Sequence, residues 1–401
     1  MAWEMKKLGD LFNITSSKRV FKAEWKDSGV PFYRAREIVK LAKHGYVDNE
    51  LFISKDMYKE YEEKYGIPQE GDIMVTGVGT LGICYVTKKD DKFYFKDGNI
   101  IWLKKKTNTS SRYVEYAFKS DFLRHQIDNS NGATVGTYTI IKAKNTLIPV
   151  PPLPEQKHIV AILDEAFAGI SLAAANAEKN LTNARELFES YLNNVFTQRG
   201  DDWTLRRLED ICSISSKLID PREAEYINLP HIGAGNIVSM TGELIGIKTA
   251  KEEKLISGKF FFDKEMVLYS KIRPYLMKTC RPDFNGLCSA DIYPLSVKPK
   301  ELERNFLYYL LMSKHFTDYA IAGSARAGMP KVNRNHLFNY QVSIPNLSEQ
   351  KKISDKLDEL FIEKSRLESI YQQKLTALNE LKQSILQKAF AGELTRDCDN
   401  E

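Results

Sequence analysis

Residues 153–196 occur twice in this chain, returning 194 positions later as residues 347–390 with 17 identities in 44 aligned positions. Glu155-Gln156-Lys157 falls on Glu349-Gln350-Lys351, and Leu163-Asp164-Glu165 falls on Leu357-Asp358-Glu359. Phe167 meets Phe361, Glu186-Leu187 meets Glu380-Leu381, and Phe196 meets Phe390. A chain that carries one long segment twice must fold as two related halves, and its function has to use both.

Each copy predicts one long helix. In the first, Ile159, Leu163, Ala166, Ile170, Ala173, Ala177, Leu181, Ala184, Phe188, Tyr191 and Val195 follow in steps of four and three. That 3.5-residue period is the mark of a helix–helix seam. The second copy keeps the register through Ile353, Leu357, Leu360, Leu367, Tyr371, Leu375, Leu378, Ile385 and Ala389, with Lys364 and Lys382 interrupting it. Pro154 suits the first turn of one helix, where its missing N–H costs nothing. Ser348 is placed to N-cap the other. At 1.5 Å per residue each helix spans roughly 60 Å. Two core helices in separate globular domains would be the alternative, but a helix this long outreaches a small domain, so packing helix on helix is the simpler burial.

The segments ahead of the helices are related as well. Trp3, Leu8, Asp10, Ile14 and Ser16 recur 200 positions later as Trp203, Leu208, Asp210, Ile214 and Ser216. A proline-containing connector precedes each helix, Ile148-Pro149-Val150-Pro151-Pro152-Leu153-Pro154 and then Ile344-Pro345-Asn346-Leu347. Proline there fixes an extended entry. Strands are predicted at Ile73-Met74-Val75, Ile83-Cys84-Tyr85-Val86, Ile100-Ile101-Trp102-Leu103 and Met266-Val267-Leu268-Tyr269. A flanking helix is predicted near 114–127 and again near 306–319. The expected architecture is mixed α/β (α+β). Two similar globular domains, residues 1–153 and 200–347, are separated by two long helices, 154–199 and 348–391, packed as an antiparallel coiled coil with a pseudo-twofold repeat. A tail, 392–401, follows.

Charge is uneven. Residues 1–154 carry a net +6 and residues 201–348 a net +3, while 155–200 and 349–401 each carry −2. The excess base sits in the globular blocks, which permits a nucleic-acid role. Five cysteines, Cys84, Cys212, Cys280, Cys288 and Cys398, are odd in number and without C-x-x-C spacing, so reduced thiols and a cytoplasmic location are expected. No signal-peptide pattern is visible, and no unbroken apolar run approaches a membrane span.

Catalytic motifs are missing from the sequence. Residues 77–82 spell G-x-G-x-x-G, but the dinucleotide fingerprint needs a helix to follow, and a strand-like segment follows here. No Walker loop and no N-P-P-Y-like loop for a flipped adenine occurs. Six scattered histidines lack ligand spacing. The expected inventory is therefore no catalytic residue, no cofactor site and no metal site.

With these features in place, the sequence resembles the specificity subunit of type I restriction–modification systems. The resemblance is carried by Pro151-Pro152-Leu153-Pro154-Glu155-Gln156, by Ile344-Pro345-Asn346-Leu347-Ser348-Glu349-Gln350, and by Gln383-Ser384-Ile385-Leu386-Gln387-Lys388-Ala389-Phe390 with Gly392-Glu393-Leu394. Glycine-containing loops at 132–138 and 323–329 add to it, and it covers essentially the whole chain in order. The resemblance implies two target-recognition domains, each reading one half of a split, asymmetric site on double-stranded DNA. It implies helices that set the spacing, and a chain not catalytic alone. Two modification (methyltransferase) subunits would bring S-adenosylmethionine, and restriction subunits would bring ATP- and Mg2+-dependent translocation and cleavage. No membrane is implied. A non-catalytic coiled-coil scaffold joining two interaction domains is the other reading.

In the resembled role, Lys and Arg on phosphates set register and a few side chains at base edges choose sequence. Candidates in loops beside strands are Lys18, Arg34, Arg36, Thr80 and Tyr138 in the first block. In the second they are Lys217, Lys271, Arg273, Tyr275, Arg326 and Lys331. Ser-Lys recurs at matched places (Ser17-Lys18, Ser216-Lys217), and Lys271-Ile272-Arg273-Pro274-Tyr275 sets two bases and an aromatic just after a strand. The expected helix–helix seam is Ile159, Leu163, Ile170, Leu181, Tyr191, Ile353, Leu357, Leu360, Leu375, Leu378 and Ile385.

Overall fold

The computed structural model describes residues 3–128, 136–198, 200, 202–215, 217–324 and 330–395. The chain divides into two compact units, Met1–Ala177 with Gln373–Glu401, and Glu178–Gln372. The long helices run Leu153–Thr197 and Leu347–Ala391, 45 residues each, and contribute to both units.

In the first unit a four-stranded antiparallel sheet runs in the order Phe12–Thr15, Ile100–Lys105, Ile73–Thr76, Cys84–Val86. All four residues of Ile73–Thr76 are buried, because the sheet is a wall between two cores. Ile73, Val75, Ile101 and Leu103 join the core beneath, with Tyr113, Phe118 and the long-helix residues Ile159, Leu163 and Leu386. Met74 and Trp102 point the other way, into a cluster with Ile38, Leu41 and Phe95. A period of two with both faces covered produces the continuous apolar run seen in the sequence. Val30–Tyr33 forms a second small sheet, parallel to Tyr94–Phe95 and antiparallel to Phe52–Ile53. Helices Ala35–His44 and Lys55–Tyr65 flank it.

The second unit repeats the inner wall. Its four strands are Cys212–Ile214, Ile292–Val297, Val267–Ser270 and Thr279–Cys280. Val267 and Tyr269 face the large core, and Leu268 faces the outer cluster. The outer part differs, being a five-stranded sheet centred on Lys259–Phe262, Gly286–Cys288 and Pro230–Ile232.

Where block meets long helix, the two units use closely matching bonds. The connector forms a strand with the start of its block, Lys6 opposite Ile148 in one unit and Arg206 opposite Val342 in the other. The Gln156 amide donates to the Pro151 carbonyl at 2.8 Å, and its oxygen accepts from the Ser110 N–H at 2.9 Å. Gln350 donates to Pro345 at 2.9 Å and accepts from Glu303 N–H at 2.8 Å. Asp164 accepts from the Tyr116 hydroxyl and from Arg112 at 2.7 Å, and Asp358 accepts from Tyr309 at 2.5 Å and from Arg281. The repeated Glu-Gln-Lys and Leu-Asp-Glu strings thus fasten each block to its helix.

Within each unit the two helices run antiparallel. Glu155, at the start of the first, accepts from Thr395 beyond the end of the second at 2.9 Å, and Lys382 lies 5.2 Å over the Phe167 ring. In the second unit Arg185 pairs with Glu368 at 2.7 Å, and the Phe188 and Phe361 rings meet edge-on at 5.6 Å. Ile159, Leu163 and Ile170 pack in the first core with Ile385, and Ile353, Leu357 and Leu360 in the second. Leu181, Leu375 and Leu378 are half-buried.

Several expectations need correction. Tyr191 is 37% exposed, and Leu192 and Phe196 take the buried face instead. The last turns of that helix turn toward the block, where Phe196 meets Phe306 at 5.2 Å, so the two-helix period no longer governs. Lys364 does not break the seam but lies within it, its ammonium 4.4 Å from the Phe361 ring centre. Asn346, not Ser348, caps the second helix, its side chain accepting from Glu349 N–H at 3.0 Å. Each flanking helix is two, Ser111–Lys119 and Asp121–Asp128, then Arg304–Met312 and Lys314–Ala322, broken at the buried Ser120 and Ser313. Finally, an 18-residue window of the first long helix reaches mean hydropathy 1.5, long and apolar enough by composition to cross a membrane. Acidic residues such as Asp164, which interrupt the apolar runs of this helix, conceal it from a search for unbroken runs.

Candidate nucleic-acid interface

In each block the inner wall and the outer sheet end together in a rim held by backbone hydrogen bonds. In the first block Lys96 N–H donates to Tyr33 carbonyl at 2.8 Å, Gly77 N–H to Asn99 carbonyl at 2.9 Å, and Tyr138 N–H to Gly77 carbonyl at 3.0 Å. In the second block Ser289 N–H donates to Ile232 carbonyl at 3.0 Å, Lys271 N–H to Asp291 at 3.0 Å, and Val332 N–H to Lys271 at 2.8 Å. These are the same bonds at shifts of 192 to 199, as the pairs 99/291, 77/271 and 33/232 show. A backbone frame built twice therefore carries two sets of side chains.

On the first rim Ser17 Oγ donates to Phe95 carbonyl at 2.6 Å, which anchors the segment and leaves Lys18 exposed. Lys18 lies 5.6 Å from the Tyr65 ring centre. Arg34 precedes the helix Ala35–His44 and Arg36 lies in its first turn. Both bind the buried carboxylate of Glu37, Arg34 through Nε at 3.2 Å and Nη2 at 3.1 Å. Burial pushes the Glu37 carboxyl up, but the two guanidiniums hold it below its ordinary range. Arg36 reaches Glu50 at 2.6 Å as well. Thr80 is exposed in the 77–82 turn, a hairpin loop closed by Gly82 N–H on Thr76 carbonyl at 2.8 Å. Tyr138 does not belong to the surface. It is 1% exposed, and its phenol bonds Thr146 Oγ1 at 2.8 Å in the core.

On the second rim the structure brings Lys271, Arg273, Tyr275 and Lys331 together, since Ile272 bridges Lys331 and Arg273 N–H donates to Pro330 carbonyl at 2.8 Å. Lys271 is half-buried, donates to Ala290 carbonyl and lies 5.0 Å from the Tyr293 ring centre. Burial, with Lys331 nearby, lowers its pKa. Arg273 and Lys331 are exposed, and Tyr275 is 53% exposed. Lys217 is exposed, whereas Arg326 and Ser216 lie outside the described residues, as do parts of both glycine loops.

Cys84, Cys212, Cys280 and Cys288 are buried and unpaired, and burial pushes Cys212 and Cys288 up to about 12. Among the described residues no His, Cys, Asp and Glu cluster suits a metal ion. The residues that sequence reasoning passed over are Glu37 and the fastening pairs Gln156/Gln350 and Asp164/Asp358. The latter carried a signal, since each is an identity within the repeat.

The family model for the type I restriction modification DNA specificity domain matches twice, over residues 2–182 and 200–377. The chain belongs to the specificity subunits of type I restriction–modification systems. It is 27% identical over 410 residues to the EcoDI specificity subunit of Escherichia coli, covering 98% of this chain and 89% of the relative. The EcoBI specificity subunit of the same species is 22% identical, over 98% of this chain and 86% of the relative. Among solved structures, a chain from work on complex assembly and conformational transition of the type I R-M system superposes with a TM-score of 0.76, at 20% identity over 98% of both chains. The HsdS subunit of Thermoanaerobacter tengcongensis gives 0.59 at 19% identity, over 98% of this chain and 97% of that one. The two blocks are thus target-recognition domains and the two long helices the packed spacer between them. This specificity subunit is the non-catalytic, DNA-selecting part of its complex.

Proposed function

We propose that each recognition domain of this specificity subunit reads one half of a split, asymmetric site on double-stranded DNA through its rim. The domains are assigned to residues 1–153 and 200–347, the helices that set the half-site spacing to 154–199 and 348–391, and the tail to 392–401. Lys18, Arg34, Arg36 and Thr80 serve the first half, and Lys217, Lys271, Arg273, Tyr275, Arg326 and Lys331 the second. The observation that carries this reading is the rim itself, one hydrogen-bonded frame built twice with different basic side chains on each copy. Phosphate contacts supply salt-dependent affinity, and base-edge contacts supply choice. Two modification subunits bring S-adenosylmethionine, restriction subunits bring ATP and Mg2+, and this chain adds no cofactor. The complex acts in the cytoplasm.

Domain exchange tests it. Replacing residues 201–347 with the matching block of another specificity subunit, in a host supplying the modification subunits, should change one half of the methylated site and leave the other intact. Changes in both halves would defeat independent reading. No mobility shift of any DNA by the assembled complex would leave only a scaffold.

A further inference from the structure

Two loops form each rim, and the blocks have exchanged the side chains that these loops carry. The first loop leaves Val30–Tyr33 in one block and Pro230–Ile232 in the other. Its backbone is closed the same way in both. Arg34 N–H donates to the Glu37 carboxylate at 2.9 Å, and Gly233 N–H donates to Asn236 Oδ1 at 2.8 Å. Yet the first block places Arg34 and Arg36 where the second has Gly233 and Gly235. The second loop leaves Ile73–Thr76 and Val267–Ser270. Here the exchange runs the other way, with Gly77 and Gly79 in the first block facing Lys271 and Arg273 in the second.

The backbone shows which side chain is there for a reason other than folding. Gly79 and Arg273 are each the third residue past the strand, and both are left-handed, at φ +79° and +50°. Glycine takes that conformation at no steric cost, whereas an arginine does so against its Cβ. A further left-handed non-glycine residue, Met277 at φ +48°, closes the same turn. The Arg273 backbone is held by the Pro330 carbonyl, but its exposed guanidinium makes no hydrogen bond or ion pair among the described residues. Left-handed backbone beneath an exposed basic side chain with no partner among the described residues points to what that side chain meets outside the chain. On the first block the arrangement is the reverse. Gly79 is relaxed, with open space where a Cβ would stand. The basic pair is instead aimed by a carboxylate that is 3% exposed.

We propose that the two recognition domains read their half-sites through different loops of one scaffold, the first through Arg34 and Arg36 positioned by Glu37, the second through Arg273. This rests on the DNA-reading function above and goes beyond it by naming one loop in each domain as sequence-selecting. The glycine-bearing loop on each rim then serves as the flat part, over which a DNA backbone passes closely.

The test uses the full chain assembled with its modification subunits, and reads methylated sites, DNA affinity and the thermal midpoint together. Arg273→Gly should leave the midpoint unchanged or raise it, since glycine relaxes the turn. It should also relax sequence choice in one half-site, with discrimination there falling roughly tenfold or more. Arg36→Ala should relax only the other half-site, and Glu37→Gln should weaken selection in that same half while leaving unchanged the half that Arg273→Gly relaxes. A variant Arg273→Gly that folds and methylates both half-sites with full selectivity overturns the assignment, as does an Arg36→Ala effect on the half read by the second domain. An unmutated complex that selects no sequence at all would instead overturn the DNA-reading function, which keeps the two failures apart.

Discussion

The two recognition domains are alike where they grip the helices and unlike where they face outward. At the grip, Gln156 and Gln350, Asp164 and Asp358, and the Leu8 and Leu208 N–H groups on Thr146 and Tyr340 carbonyls at 2.9 Å repeat the same bonds. Outward, the first block packs helices Ala35–His44 and Lys55–Tyr65 against three short strands, while the second uses five strands. A duplicated chain keeps whatever its partner helix demands and is free to vary what only DNA demands. Matched geometry in such a molecule reports assembly, and mismatched side chains on matched backbone report selection.

The largest expected effect comes from the matched glutamines. Each satisfies a buried connector carbonyl and the N–H that opens a flanking helix, so Gln156→Ala or Gln350→Ala leaves both without partners. Each should cost about 2–4 kcal/mol, read as loss of hydrogen-exchange protection at the start of the long helix in that unit. Clearly unequal losses in the two units would break the likeness.

The seam offers a smaller and opposite change. Lys364 lies among Phe188 and Phe361, and Lys382 over Phe167. Burial lowers both ammonium pKa values. A lysine held below its unfolded value costs stability at neutral pH, and that cost fades as pH rises toward the unfolded value near 10.4. Lys364→Leu should therefore stabilise the second unit by about 1 kcal/mol, measured as a higher thermal midpoint at pH 7 with the gain shrinking toward pH 10. A lower midpoint would mean that the ring contacts and Glu368, 3.9 Å away, outweigh burial.

The smallest effect sharpens the comparison at the aspartates. Burial pushes the Asp164 carboxyl up, but Tyr116 and Arg112 outweigh it and hold the group below its ordinary range. Its folded value is the lower one, so its contribution is present above about pH 4 and is lost as pH falls through the folded value. With 44% of the side chain exposed, Asp164→Asn should cost roughly 1 kcal/mol at pH 7. The difference from the unmutated chain should vanish in acid melts, and a cost that persists at pH 2 would assign the loss to packing.

Sequence alone determined the duplication, the two long helices, the order of blocks and four of the inner-wall strands, Ile73–Thr76, Cys84–Val86, Ile100–Lys105 and Val267–Ser270. All of these rest on local periodicity or on self-likeness, which need no knowledge of what packs where. Even the fastening residues were visible as identities, although not their purpose. Tertiary structure decided the rest. Tyr138 looked like a surface aromatic because a loop sequence does not say which side faces the core. The 3.5-residue period placed Tyr191 inward because it assumes one partner helix, and near that end the partner is a globular block that selects Leu192 and Phe196. Arg34, Arg36 and Arg273 were legible as basic residues near strands. Only folded backbone could show that Arg273 occupies a glycine's conformation and that Glu37 aims the other two. Left-handed strain and a buried carboxylate's bonds are properties of positions in space, which a string of residues does not contain.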